Sequence, residues 1–322
     1  MGESPVQASA RLVDWLNGGG GVAITGASGW IGRAMAHAAL EAIGPAPVTR
    51  LRLFGSRPCP IDIAGRTLPV ESLGRAAPLA QGEWLVLHLA VAGADRAADP
   101  DGLRALNEAM LADALALAGT AQVRRLVGAS SGAVYQAGQG SREKQAYSDL
   151  KRDQETIVRA WAQKTGVPLL LPRIFNVGGP YMTNPGNYAL GSFIQQALAG
   201  GVIGIGARRP VLRSFVHVLE LARVVFDLAL DDAAPLAFDT AGPEVVEMAD
   251  LAVAVGRALD LPGLEVSRPA MDTADEDRYV GDGRLYQAAL ARMAARPVGL
   301  DQIIRDTAMW LKDQATPNPP GS

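Results

Sequence analysis

A strand broken by glycine near the N-terminus sets the terms for the rest of the chain. Val22-Ala23-Ile24-Thr25 is apolar and partly β-branched, the pattern of a buried parallel strand; it stops at Gly26. An alanine-rich amphipathic helix is predicted from Trp30 to Ile43. Between them runs Gly26-Ala27-Ser28-Gly29-Trp30-Ile31-Gly32, and its three glycines have separate uses. Gly26 permits the sharp turn off the strand, Gly29 lets a phosphate approach bare backbone, and Gly32 lets the helix pack closely on the sheet. The helix N-terminus adds unpaired N–H groups and a partial positive charge suited to a pyrophosphate. Glycines alone also fit a tight turn with no ligand, but the strand before and the helix after favour dinucleotide binding. Gly26, Ser28, Gly29, Trp30, Ile31 and Gly32 are therefore cofactor-binding candidates.

Further strands are predicted at 48–54, 66–71, 84–91, 125–130 and 167–174, with helices at 8–17, 103–118 and 144–164. This alternation predicts an α/β fold, a doubly wound, Rossmann-like parallel sheet. After Asn176 the alternation lapses and short strands at 202–205 and 211–216 lie between helices. The expected division is a dinucleotide-binding domain over 1–176, with about 211–242 returning to it, and a smaller mixed α/β substrate-binding part over 177–315. The proline-rich tail 316–322 is expected to be disordered.

Composition narrows the function classes. With 48% apolar and 20% charged residues the chain reads as a soluble globular protein. Its 30 basic and 33 acidic side chains form no basic block, which argues against nucleic acid as a partner. The longest uncharged apolar stretch, 84–94, is too short to span a membrane. The first ten residues lack a basic segment followed by an apolar one, so a cytoplasmic location is expected. Cys59 is alone and His37, His88 and His217 are scattered, so neither a disulfide nor a metal site is expected.

Tyr147 and Lys151 stand at i and i+4 on one helical face. A free phenol has a pKa of roughly 10. A neighbouring ammonium, helped by a positively charged nicotinamide, would favour the phenolate and make Tyr147 an acid/base group. Upstream, the strand at 125–130 delivers Ser130-Ser131-Gly132-Ala133-Val134-Tyr135 to the same carboxyl edge. Ser131 can donate to a substrate oxygen while Tyr147 exchanges its proton; Ser130 is the competing register.

These ordered motifs resemble the extended short-chain dehydrogenase/reductase family, the branch of sugar-nucleotide epimerases, dehydratases and ketoreductases, over nearly the whole chain. The resemblance places Ser131, Tyr147 and Lys151 on the catalytic triad, with Tyr147 and Lys151 also touching cofactor. It sets Leu89 and Ala90, in His88-Leu89-Ala90, beside the nicotinamide ribose, and it matches Asn107 to a position the family often fills with asparagine. Pro172 to Pro180 is similar to a family segment whose asparagine, here Asn176, contacts substrate; Arg213 and Arg278 fall where two arginines commonly grip a nucleotide diphosphate. The small-molecule substrate it implies is a sugar nucleotide. Members commonly dimerise through the helix after the fourth strand and the Tyr/Lys helix. Leu103, Leu106, Met110, Ala114 and Leu117 could furnish that face of a homodimer, though the same spacing fits intramolecular core.

Two departures bear on cofactor and reaction. Where an NAD enzyme of this fold usually carries an acid, the chain reads Leu53-Phe54-Gly55-Ser56-Arg57. Ser56 and Arg57 suit a 2′-phosphate, which tilts the choice between NADP and NAD toward NADP. The family's 4,6-dehydratases follow the catalytic hydroxyl with Asp-Glu; Gly132-Ala133 can move no proton, which argues against that elimination. Epimerisation and 4-ketone reduction both remain open, as do reduction of a non-nucleotide ketone or aldehyde and a non-catalytic NADP-binding regulator.

Overall fold

Val22, Ala23 and Ile24 have no solvent exposure, because the strand they form is paired on both edges and covered on both faces. The computed structural model describes residues 9–45, 48–93, 99–136, 141–272 and 275–315. Its strands are β1 (Gly21–Thr25), β2 (Leu51–Gly55), β3 (Cys59–Ile63), β4 (Arg66–Ser72), β5 (Glu83–His88), β6 (Gln122–Gly128), β7 (Ser130–Ser131) and β8 (Leu169–Ile174). They continue as β9 (Asn176–Gly178), β10 (Ile203–Gly204), β11 (Val211–Arg213), β12 (Phe215–His217), β13 (Ala237–Asp239), β14 (Val246–Glu247), β15 (Val266–Ser267) and β16 (Asp277–Tyr279). The helices are α1 (Ala10–Asn17), α2 (Trp30–Ile43), α3 (Pro100–Ala118), α4 (Arg142–Thr165), α5 (Ala189–Leu198), α6 (Val218–Ala229), α7 (Met248–Ala258), α8 (Arg284–Arg292) and α9 (Leu300–Ala315).

The main sheet runs β13-β8-β6-β5-β1-β2-β4-β3, with β7 beside β8. Its pairings are parallel except that of β3 with β4. The order in which strands are added to the sheet reverses between β1 and β5, and ligands of doubly wound sheets bind in the crevice outside the carboxyl ends at such a point. Alternate residues of β1 face opposite layers. Val22 and Ile24 join the core under α2 and α6, whereas Ala23 joins the core under α3 and α4.

Several boundaries move for local reasons. The 84–91 strand ends at His88, because Leu89 and Ala90 leave the sheet at the crevice. The 48–54 strand shifts to Leu51–Gly55. The hairpin partner β3 has no counterpart in the sequence reading, since Pro60 and Asp62 mask it; the turn uses positive φ at Ala64 and Gly65 (51° and 76°). The run at 211–216 is two strands in different sheets, divided at Ser214: β11 pairs with β14 and β16, and β12 pairs with β9. Farther along, α6 packs against α2 and β13 extends the main sheet beside β8. The predicted tail at 316–322 lies outside the described residues. No described helix is long and apolar enough to cross a membrane.

Candidate active site

The glycine turn is built as a bare-backbone cradle. Gly26 has φ +71°, and a Cβ there would fall 2.7 Å from the Ala90 nitrogen; one on Gly32 would fall 2.1 Å from the Gly26 carbonyl oxygen. The Gly29 N–H donates back to Gly26 O at 3.0 Å, and no side chain caps the N-terminus of α2. Its free N–H groups thus point at the crevice between β1 and β5, which suits a pyrophosphate. Ser28 is exposed there, Ile31 is half-buried, and buried Trp30 donates from Nε1 to Pro180 O at 2.8 Å. Leu89 and Ala90 line the far side, held in place through Asn107, whose amide accepts from the Ala92 N–H at 3.0 Å. Ser56 and Arg57 are exposed just past the carboxyl end of β2. The residues present fit a dinucleotide.

Beside this cradle, β7 and α4 bring Ser131, Tyr147 and Lys151 to the same sheet edge. The Tyr147 phenol lies close enough to Ser131 for the serine to lower it. The residue is 41% exposed, yet the protein packed around its phenol pushes it up to about 12, with Ser131 opposing. It is therefore protonated at neutral pH. Lys151 is buried, donates from Nζ to Ala129 O at 3.1 Å, and is lowered by that burial to about 8, with Glu155 opposing. Besides burial, the groups that shift the phenol are Ser131, Tyr279 and Tyr188 and not Lys151, whose amine is turned to a carbonyl; the expected lowering also counts on a positively charged nicotinamide. His88, also buried, bonds Thr25 through Nδ1 at 2.9 Å and is held neutral, lowered to about 3 by burial and by the Lys151 charge.

Ser130 and Ser131 part company. Ser130 donates to Glu155 Oε1 at 2.7 Å, below the site, and Glu155 also accepts two bonds from Arg173 (both 2.9 Å) and one from Arg159 (3.0 Å). The Ser130 hydroxyl is thus spent on a buried ion pair, and Ser131 is the serine presented to Tyr147. Glu155 continues the i+4 series Tyr147, Lys151, Glu155, a spacing from which it could have been found. The Phe175 ring occupies the space above Gly132, where a Cβ would come within 2.4 Å of it. A carboxylate at that position is sterically closed as well as missing.

The expected substrate residues do not converge as a group. Arg213 and Tyr279 are register partners on β11 and β16, so Arg278, opposite Leu212, faces the other side of that small sheet. Arg278 lies half-exposed beside Glu276 at 3.8 Å. Arg213 is bound to Asp277 through its side chain (3.1 Å) and main chain (2.8 Å). Asn176 spends its Nδ2 on Ser214 O and Tyr279 O, at 3.1 and 3.3 Å. The residue that does reach the catalytic edge from β16 is Tyr279, whose Oη lies 3.1 Å from Ser131 Oγ. Nothing in the sequence pointed to it, because 148 positions separate the two.

A doubly wound sheet with this cradle and this Ser/Tyr/Lys edge defines a protein of the extended short-chain dehydrogenase/reductase type. The chain belongs to the NAD dependent epimerase/dehydratase family, which it matches over residues 22–237. Among curated proteins it is similar to UDP-glucuronic acid decarboxylase 5 of Arabidopsis thaliana, 28% identical over 133 residues. That match covers 41% of this chain and 38% of the relative, so the chain spans less than half the length of the curated relatives it matches. Two solved structures share the fold. One is UDP-N-acetylglucosamine 4-epimerase from Methanobrevibacter ruminantium M1 in complex with UDP-N-acetylmuramic acid (TM-score 0.67, 18% identity, 91% of this chain and 98% of that one). The other is the UDP-glucose 4-epimerase of Thermus thermophilus in complex with NAD (0.65, 22%, 90% and 98%).

Proposed function

We propose that this chain catalyses hydride transfer on a sugar nucleotide, as an epimerase or a 4-ketoreductase, with Tyr147 as the acid/base group. The observation that carries the reading is the juxtaposition of Tyr147 with Ser131 at the sheet edge, next to a glycine turn whose helix N-terminus no side chain caps. The sugar nucleotides named for the similar proteins supply the substrate class. A bound nicotinamide cofactor supplies or accepts the hydride. The chain's own part is acid/base work and positioning. Tyr147, protonated at neutral pH, gives its proton to a substrate oxygen, and Ser131 donates to the same oxygen and fixes where it sits. Lys151, buried one turn on, would hold positive charge beside a bound cofactor. Exposed Ser56 and Arg57, with no acid following β2, support NADP over NAD, because a guanidinium fork pairs with a 2′-phosphate.

One observation favours a second reading, reduction of a ketone or aldehyde without a nucleotide. Arg213 is engaged by Asp277 and Arg278 faces away, which leaves the diphosphate grip incomplete. A single experiment separates the two. The whole chain is incubated with UDP-glucose, UDP-glucuronic acid, UDP-N-acetylglucosamine or simple ketones, each with NADPH or NAD, while absorbance at the reduced-nicotinamide band and product sugars are followed. Stoichiometric NADPH loss with a sugar nucleotide marks a ketoreductase, and a new epimer without net absorbance change marks an epimerase. Turnover of simple ketones alone supports the second reading, and turnover of nothing overturns both.

The same reading includes a homodimer through α3 and α4. Leu106 and Ile157 are each 38% exposed there, whereas Ala114 and Leu117 are committed to the core. Sedimentation should give about twice the 33.6 kDa chain mass, and a Leu106→Glu/Ile157→Glu chain should run as a monomer. A wild-type monomer at micromolar concentration would refute it.

A further inference from the structure

Ser131 is approached from two sides by phenols, and only one of them belongs to the triad. Tyr279 is held firmly where it is. Its backbone is paired with Arg213 on β11, and its carbonyl accepts from Asn176 Nδ2. Its ring packs against Phe175, centroids 4.6 Å apart, and the Arg213 guanidinium lies 5.7 Å over its face. The hydroxyl that results lies 3.1 Å from Ser131 Oγ.

Counting protons shows what each direction of this contact implies. A serine hydroxyl has one proton and two lone pairs. The Ala133 N–H, 3.2 Å away, fills one lone pair. Either hydroxyl can donate in the contact between Tyr279 and Ser131, and the direction that keeps the serine free for substrate has Tyr279 donating. Burial raises the Tyr279 phenol above its ordinary value, so it has a proton to give at neutral pH. With Tyr279 donating, both lone pairs of Ser131 are occupied and its single proton is left for the oxygen on the Tyr147 side. Were the contact to run the other way, the serine proton would be spent on Tyr279 and could not serve the substrate.

We propose that Tyr279 is a positioning residue: the smaller sheet carries its phenol to Ser131, and its hydrogen bond commits the serine's only proton to the substrate oxygen shared with Tyr147. The inference rests on the hydride-transfer reading above. Its test is a double-substitution cycle on the full chain, using whichever of UDP-glucose, UDP-glucuronic acid and UDP-N-acetylglucosamine the wild type turns over. Tyr279→Phe keeps the ring between Phe175 and Arg213 and removes only the hydroxyl. It should lower kcat about tenfold with KM and cofactor affinity within about twofold, the scale of one oriented hydrogen bond. Ser131→Ala should lower kcat more, and Ser131→Ala/Tyr279→Phe should be no worse than Ser131→Ala alone. A purely structural role would instead multiply the two losses and lower thermal stability. Full kcat in Tyr279→Phe, a loss confined to KM, or multiplied losses in the double variant overturns the proposal. If Tyr279→Phe proves unstable, 3-fluorotyrosine placed at 279 makes a more acidic donor; a shifted pH–rate profile supports the proposal and an unmoved one overturns it. Failure of the underlying reading looks different: the wild type is inactive on every sugar nucleotide, or Tyr147→Phe retains its rate.

Discussion

Replacing Tyr147 with phenylalanine is expected to lower kcat by about 10³-fold while leaving cofactor affinity within a few-fold, the range for loss of a positioned acid/base group. The ring would stay in place and only the hydroxyl would go. At neutral pH the chain's own groups keep this phenol protonated, pushed up to about 12 by the protein around it, so its first act is to give a proton. Running the reaction in the other direction requires the same oxygen to receive one, and Ser131 is the neighbour that eases that change. The measurement is steady-state turnover beside fluorescence titration of cofactor. A variant keeping more than about a tenth of the wild-type kcat would assign the proton transfer to another group, with Tyr279 first in line.

The second large effect concerns stability. Glu155 is held down to about 2 from its ordinary 4.5: burial alone would raise it, but hydrogen bonds from Arg173, Ser130 and Arg159 outweigh that. Because the folded-state value lies below the unfolded one, the stabilisation is complete above about pH 4.5 and drains away as pH falls toward 2. The shift corresponds to about 3 kcal/mol. Glu155→Gln should therefore unfold at lower urea than the wild type at pH 7, and the two curves should approach each other between pH 4.5 and 2. Parallel loss of stability in both chains over that interval would show that the carboxylate is not what the acid limb reports. The variant bears on activity too, since Glu155 opposes the burial that lowers Lys151.

What could be read along the chain was whatever repeats at short range. The glycine turn, the strand–helix alternation and the pair at 147 and 151 each declare themselves within a dozen residues, because backbone freedom and helical periodicity are local properties. From them follow the doubly wound sheet, the dinucleotide crevice and the acid/base helix. Folding alone settled which serine stands at the edge, since Ser130 and Ser131 point oppositely from one strand and only the ion pair of Glu155 with Arg173 claims one of them. It settled as well that Arg213 and Arg278 lie on opposite faces of a three-stranded sheet, and that Phe175 closes the space at Gly132. The contact of Tyr279 with Ser131 belongs to the same kind. Such facts depend on register and packing between segments from about twenty to 148 positions apart, and no local pattern in the chain encodes them.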